Sequence, residues 1–528
     1  MVKTVFPMAL NPATFPPSQA WSPLKPEDWN ADHARHLLHR IGFSATPDRV
    51  AQAVKLGLPG TLAQAFGATR PFIPPASLNE YVQKRAELAV AQRGAASAPG
   101  RAASGARAGA PVANAATTPD PAALARQKLN QEINQLERQS FLDYVQSWLA
   151  FAAKPENSAQ ENLVMFLSNV LVVAQSKVKD PTRLYEHTNL LRTLWQKSYP
   201  TMIKAVTYSP AMIQYLDLNT NERNGPNENY AREVMELFTL GEGHYTETDI
   251  KEAARALTGI VITNEVGTLA PRRWDPGTKT IFGSSGIFGA SDVVDLIFKE
   301  PASSTHLPRR FLTYYLTTAA LPPAYLDELG HQWQRAGLRV DALARLVFSS
   351  QLFYRPEFRG ALIKSPIQYY LGLCQDLNLD VSPFEGQVFQ TLRAIGQEPF
   401  NPPNVRGWLG GKNWINSSTF AARRQLVQQL FNPIPDKQRT ADLQAKLAAA
   451  RQAGQGVIAM DNERLQRLAD QSNEEIADGL LNYFFAGEST ATYRGDIIDY
   501  MKNDQGPRLE LVRDVAAALF QSPAYHAC

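Results

Sequence analysis

The chain has 528 residues, of which 44% are hydrophobic and 20% charged, and its formal net charge is +3. That length exceeds the usual single-domain size and predicts two or more helical layers or subdomains of ordinary globular composition. The small net charge, with no basic stripe interleaved by aromatics, argues against nucleic acid as a partner. The two cysteines, Cys374 and Cys528, leave no room for a disulfide framework or a Cys-rich metal site, and their scarcity fits a reducing compartment.

No run is long and apolar enough to span a bilayer. In the N-terminal stretch "MVKTVFPMALNPATFPPSQAW", Pro7 and Pro12 interrupt an apolar run already too short for a signal peptide. The chain as written is therefore expected to be cytoplasmic unless a leader lies upstream. Helical periodicity dominates from there. "DHARHLLHRIGFSATPDRVAQAVKLGLPGTLAQAF" predicts two short helices broken at Gly42 and at Leu58-Pro59-Gly60, within an N-terminal helical segment over 1–93. Residues Gly94 to Pro121 are almost wholly Ala, Gly, Ser, Pro, Thr and Arg. They cannot bury enough apolar surface to offset the entropy of ordering, which predicts a flexible loop over 94–121. A helical core follows over 122–431. It opens with a long helix from about Ala122 to Ala153 that buries Leu136, Phe141, Tyr144, Val145 and Leu149. Next comes "NLVMFLSNVLVVAQ", apolar nearly all round and so placed in the core.

From Gly225 to Ile260 the chain reads "GPNENYAREVMELFTLGEGHYTETDIKEAARALTGI". Tyr230, Val234, Leu237 and Phe238 fall at i, i+4, i+7 and i+8, one buried stripe of a helix over Pro226 to Leu240. Asn224 or Asn227 suits its N-cap, Pro226 its first turn, and Gly241 the left-handed position past its end. A second helix opens with a capping box from Thr246 to Asp249, buries Ile250, Ala253, Ala254 and Leu257, and stops at Gly259. The two form a helical hairpin joined by "GEGHY". On the polar face of the first, Asn229, Arg232, Glu233 and Glu236 share a stripe, and Glu228 stands four residues before Arg232. Glu233 and Glu236 at i, i+3 have the spacing to hold a cation or to act as paired acid and base. The plainer reading is a solvated face whose Glu228–Arg232 and Arg232–Glu236 ion pairs are worth about 0.2–0.5 kcal/mol each.

After Ile260, "IVITNEVGTLAPRRWDPGTKTIFGSSG" suits a short hairpin or folded-over loop, and helices resume at Asp292. A second irregular segment, "GQEPFNPPNVRGWLGGKNWINSSTF", carries three prolines, four glycines and two tryptophans, Trp408 and Trp414. A C-terminal helical segment occupies 432–528. The expected fold is mainly α, a multi-helical globular protein with long irregular loops and at most a minor β-hairpin.

His33, His36 and His39 invite a metal reading, but i, i+3, i+6 spacing drifts around a helix, so a pair at most could share one ion. His187 and His244, single residues near helix ends, suit capping. No phosphate loop, nucleophile elbow or H-E-x-x-H is present, and "GSSGIFG" lacks the lysine and helix of a P-loop.

The stretch "NENYAREVMELFTLGEGHYTETDIKEAARALTG" closely resembles the signature of a large bacterial family known as domain of unknown function eighteen-hundred. "HLLHRIGFSATP", "SPAMIQYLD", "KSPIQYYLGL" and "GQEPFNPPNVRGWLGGKNWINSSTFAARR" resemble its other motifs, together spanning most of the chain. The resemblance implies a mainly helical protein, often exported and often encoded beside a partner with a sulfatase-like fold. It implies no established reaction. The family pattern also has a His-x-His within a helix and a His-Asp pair before a G-x-K turn. Here "LSNVL" places Ser168 and Val170 at the first two histidines, "WDPGTK" places Trp274 before Asp275, and Ile260 replaces a tryptophan.

These readings lead to a non-catalytic binding or scaffold protein that works with a protein partner. In it Asn227, Glu228, Asn229, Arg232, Glu233 and Glu236, with His244 and Lys279, form a buried polar network joining the hairpin to the Trp408–Trp414 loop. The alternative is a carboxylate-based hydrolase, magnesium- or calcium-dependent, using Glu233, Glu236 and Asp275, with Lys279 completing the site. No cofactor and no bound transition metal are expected, since Val170 and Trp274 cannot ligate one. Limited proteolysis should nick Gly94 to Pro121 before any other segment, and resistance there while other segments are cut would refute the loop assignment.

Overall fold

The computed structural model describes residues 13–96, 121–378, 387–431, 440–452, 462–484 and 490–528. The fold is mainly α-helical, with two small antiparallel two-stranded sheets. From 97 to 120 the Ala/Gly-rich stretch lies outside the described residues. At its edges, Gly94 closes into the helix Ala76–Ala96 and Pro121 opens the helix Pro121–Ala152, and these two helices pack together. One contiguous apolar cluster runs from Ala20 to Tyr525, so the N-terminal, central and C-terminal segments contribute to a single core. Among the described residues, no helix is long and apolar enough to cross a membrane.

The helix Ser158–Val170 lies at the centre, and Leu163, Val164, Phe166, Leu167 and Val170 are buried as its composition requires. Its polar first turn is buried too. Gln160 pairs with the backbone of Arg70, accepting from the amide at 2.6 Å and donating to the carbonyl at 2.8 Å. Glu161 meets Arg192 of the helix Pro181–Leu194 through two bonds of 2.8 Å, with both side chains at 0% exposure. Trp148 Nε1 donates to the same carboxylate at 2.8 Å. Asn162 donates to the carbonyls of Arg40 and Ile41 and accepts from Tyr314 and Gln368. Every member of this buried polar face is satisfied, the condition under which such a face is tolerated.

The N-terminal helix Ala31–Ile41 is capped by Asn30, which accepts from the amides of Asp32 and His33, and it ends at Gly42. The next helical run, Pro47–Phe66, breaks at Gly57 (φ +69°), one residue ahead of the expected Leu58-Pro59-Gly60. In the signature, the helix starts at Asn229 instead of Pro226, and the Asn227 side chain accepts from the Asn229 amide at 2.9 Å. After Glu233 it widens into a π-helical step over Val234–Thr239. There the Leu240 amide reaches back five residues to the Met235 carbonyl at 2.8 Å, and the Thr239 hydroxyl donates to the Val234 carbonyl. The following helix, Glu247–Ala256, has the expected Thr246–Asp249 capping box.

Two hairpins follow. Strand β1 (Ile260–Thr263) pairs with β2 (Val266–Leu269) through Asn264 and Glu265, both at positive φ, as a tight primed turn demands. Arg183 holds Glu265 in place with bonds of 2.8 and 2.9 Å. Strand β3 (Lys279–Ile281) pairs with β4 (Ser284–Gly286) through Phe282 and Gly283. The Phe282 amide donates to Asp249 at 2.7 Å, tying this hairpin to the helix cap. Helices resume at Ala290.

Gly241 and Gly259 both take left-handed backbone, at φ +88° and +79°, but their surroundings differ. A Cβ at Gly241 would meet the His306 ring at 3.2 Å, whereas one at Gly259 would meet the Trp274 amide nitrogen at 2.8 Å and the Ala270 carbonyl oxygen at 2.9 Å. Gly241→Ala should therefore cost about 1–2 kcal/mol through positive φ alone, and Gly259→Ala distinctly more, because backbone must move. Denaturant titration of both variants checks the order, and equal losses would show that the backbone crowding at Gly259 is immaterial.

Candidate functional site

The signature's polar face forms at a half-exposed surface, not as a buried network. Arg232 grips Glu247 with two bonds of 2.7 and 2.8 Å and reaches Glu228 at 3.4 Å, so its main partner lies on the next helix and is not Glu236. Glu236 instead accepts from Tyr245 at 2.8 Å and from Arg406 at 2.9 Å. Arg406 also pairs with Glu242 at 3.0 Å. The hairpin is thus joined to the Trp/Gly-rich loop, but through a surface arginine. Asn227 donates to Thr220 and Asn229 to the Leu216 carbonyl, both serving the local turn.

Glu233 accepts no hydrogen bond among the described residues. Burial, then the neighbouring Glu236 charge, raises its pKa above the usual glutamate value. Asp275 belongs to a different cluster. It takes Arg255 at 2.8 Å and the Gly277 amide at 2.7 Å, and the Lys279 ammonium lies against its carbonyl and 4.7 Å over the Trp274 ring. It shares no partner with Glu233 or Glu236. His244 is exposed and makes no hydrogen bond among the described residues. His187 is buried in the core and caps not its own helix but the C-terminus of Ser158–Val170, whose C-cap residue is Leu171. Its Nε2–H donates to the Leu171 carbonyl at 3.0 Å, leaving Nδ1 to accept from Ser209 at 3.1 Å, and burial lowers its pKa to about 4. His33 and His36 bind the carbonyls of Asp28 and Phe353. Among the described residues, no group of three or more His, Cys, Asp or Glu side chains is placed to hold a metal ion.

What the fold does build is a cavity of about 350 Å³. Its floor is the second half of the central helix, Val164 to Val170, and a side wall is Arg310, Thr313 and Tyr314 of the helix Ser303–Tyr315. Ser365 and Gln368, at the capped start of the helix Pro366–Asp376, add hydroxyl and amide groups. The roof is the loop from Arg406 to Trp414, whose two tryptophan rings lie 5.4 Å apart. Asn169 latches that roof: its Oδ1 accepts from the Trp408 amide at 2.6 Å and its Nδ2 donates to the Trp408 carbonyl at 3.0 Å. The approach is so close that a Cβ at Gly407 would sit 2.5 Å from Asn169 Oδ1.

Among the described residues, three arginines, Arg40, Arg310 and Arg406, line the cavity, and no aspartate or glutamate side chain does. None of Glu233, Glu236 and Asp275 reaches its wall. Arg310 donates to the Asn169 carbonyl at 2.8 Å and has no carboxylate partner among the described residues. Burial lowers the pKa of both Arg40 and Arg310, yet a guanidinium stays charged at neutral pH.

A family model described as "Protein of unknown function (DUF1800)" matches residues 36–527. The chain belongs to the DUF1800 family. No curated protein and no solved structure matches it. Several stretches by which the chain resembles other DUF1800 members meet at the cavity: Arg40 comes from "HLLHRIGF", Ser365 and Gln368 from "KSPIQYY", and Arg406, Trp408 and Trp414 from "NVRGWLGGKNW". Ser168 and Val170, at the positions where the resemblance places two histidines, line it as well, whereas Trp274 lies apart with Lys279. Sequence reasoning named Trp408 and Trp414 but missed Arg40, Asn169, Arg310 and Arg406. Three of these stood inside recognised motifs. Arg310 alone carried no signal, being one of two adjacent arginines on an amphipathic helix outside every motif.

Glu233 gives a test with a definite sign. Its raised pKa means that the folded state binds the proton more tightly than the unfolded chain, so stability falls as pH rises out of the glutamate range. Glu233→Gln should therefore raise the melting temperature at pH 7 (about neutral), and the gain should vanish as pH is lowered past the ordinary glutamate pKa. A variant less stable than the parent at neutral pH would show that the carboxylate is held by something it needs.

Proposed function

We propose that this chain is a non-catalytic binding protein whose ligand occupies the cavity under the Arg406–Trp414 loop. The observation that carries the reading is convergence: motif segments hundreds of residues apart supply the floor, walls and roof of one cavity. Its volume of about 350 Å³ falls within the range of small-molecule sites, and aromatic walls with a few directed polar groups are their usual make-up. In this reading the signature hairpin is a brace. The Arg406–Glu236 and Arg232–Glu247 pairs hold the roof to the body, and Glu233 and Glu236 perform no chemistry. A protein partner of the kind the family resemblance implies would meet the ligand at the roof, where Leu409 stands 71% exposed.

The hydrolase alternative keeps one supporting observation, the raised pKa and unpartnered carboxylate of Glu233 beside Glu236. Against it, Asp275 is committed to Arg255 and Gly277, and neither glutamate lines the cavity.

Thr313 lines the mouth and is exposed, so a large side chain there blocks entry without entering the core. Protein purified from its native host should release a small molecule on denaturing extraction, read by mass spectrometry. Thr313→Trp should lose that molecule while melting at the parent temperature, and Glu233→Gln should keep it. Equal recovery from the parent and Thr313→Trp would refute the cavity as the binding site.

A further inference from the structure

We propose that the cavity takes an amphipathic organic anion, with its carboxylate, sulfonate or phosphate group held by Arg40 and Arg310 and its apolar body against Trp408 and Trp414. This names the ligand class for the binding reading above and rests on it. The charge pattern is the first ground. Among the described residues no Asp or Glu side chain lines the wall, and of its three guanidiniums Arg310 has no ionic partner, so an anion beside it gains more in this low-dielectric setting than in water.

The second ground is unmet hydrogen-bonding capacity. Arg40 is 2% exposed, and its Nε and Nη1 are buried without a hydrogen-bond partner among the described residues. Only Nη2 is used, on the Phe358 carbonyl. A buried guanidinium with idle donors is costly, because each donor has given up water for nothing. The one group that favours its charge is Cys528, on the wall of the same cavity. Ser168 Oγ, also on the wall, is buried and has no partner among the described residues. An oxyanion would supply the acceptors that Arg40 lacks.

The third ground separates the ligand groups from the brace. Arg406 is matched by Glu236 and Glu242, so its charge is spent on the roof. Arg310 gives one Nη2 to the Asn169 carbonyl and has no ion-pair partner among the described residues, so its remaining donors are free for a ligand. A guanidinium presents parallel N–H groups that match the two oxygens of a carboxylate or the edge of a phosphate or sulfonate. The paired tryptophan rings then select against a bare inorganic ion, which would leave them without an apolar partner.

Two fluorescent probes with related aromatic bodies test this: anilinonaphthalene sulfonate carries the anion, and phenylnaphthylamine lacks it. The full chain should bind the sulfonate with one-to-one stoichiometry and much more tightly than the neutral amine, and inorganic sulfate alone should compete poorly. Arg310→Met should weaken the sulfonate by about tenfold or more, Arg310→Lys should recover part of that loss, and neither should alter binding of the amine. If Arg310→Met does not fold, the preference of the parent protein for the sulfonate decides the matter alone. Equal binding of the two probes, both lost in Thr313→Trp, would overturn the anion assignment while leaving the cavity as a ligand site. Binding of neither probe, or of both without any effect of Thr313→Trp, would overturn the cavity reading as well.

Discussion

A carboxylate and a guanidinium with no exposure to water, Glu161 and Arg192, hold the centre of this protein together. Taking both charges out of solvent is expensive, and the geometry offsets the cost only because each oxygen of Glu161 has a donor and Trp148 adds another. Removing either partner would strand the other, at a cost of about 3–5 kcal/mol. The pair also sets rotation. Glu161 can reach Arg192 in only one orientation of the central helix, and Ser168, seven residues on, comes round to the same face after two turns. The direction of the cavity floor is therefore fixed by an ion pair that the cavity never touches.

Polar groups in this fold are sorted by what neutralises them. In the centre, carboxylate meets guanidinium. At the cavity, Arg40 and Arg310 each donate to a backbone carbonyl, which satisfies a single donor, and Arg310 has no ion-pair partner among the described residues. On the signature face, charges pair in the open, where each contact is worth little by itself and the group of them serves to position one loop.

Much of the framework was legible because it is written in local chemistry. The Thr246–Asp249 box, the left-handed Gly241 and Gly259 and the apolar run after Asn162 each follow from a few neighbouring residues. The π-helical step escaped notice because Tyr230, Val234, Leu237 and Phe238 fit an ordinary helix equally well until its last turn. Gln160, Glu161 and Asn162 look like the wet start of a helix; only tertiary partners 31 residues away at Arg192 and 122 away at Arg40 make them a core. The site was half visible. Motifs could be recognised one by one, but which of their residues face inward depends on how distant segments meet, and Arg310 belongs to no motif at all.

The Asn169 latch carries a consequence of its own. Its amide is bonded to both backbone groups of Trp408, one as acceptor and one as donor. Aspartate has the same size and shape, yet it would turn an oxygen toward the Trp408 carbonyl, two acceptors with no proton between them. Spontaneous deamidation at this position would therefore unfasten the roof without altering the volume of a single side chain. It would also add a negative charge to a wall that carries no Asp or Glu side chain among the described residues, so that one slow chemical event, of the kind that accumulates as a protein ages, would both open the site and repel what it holds.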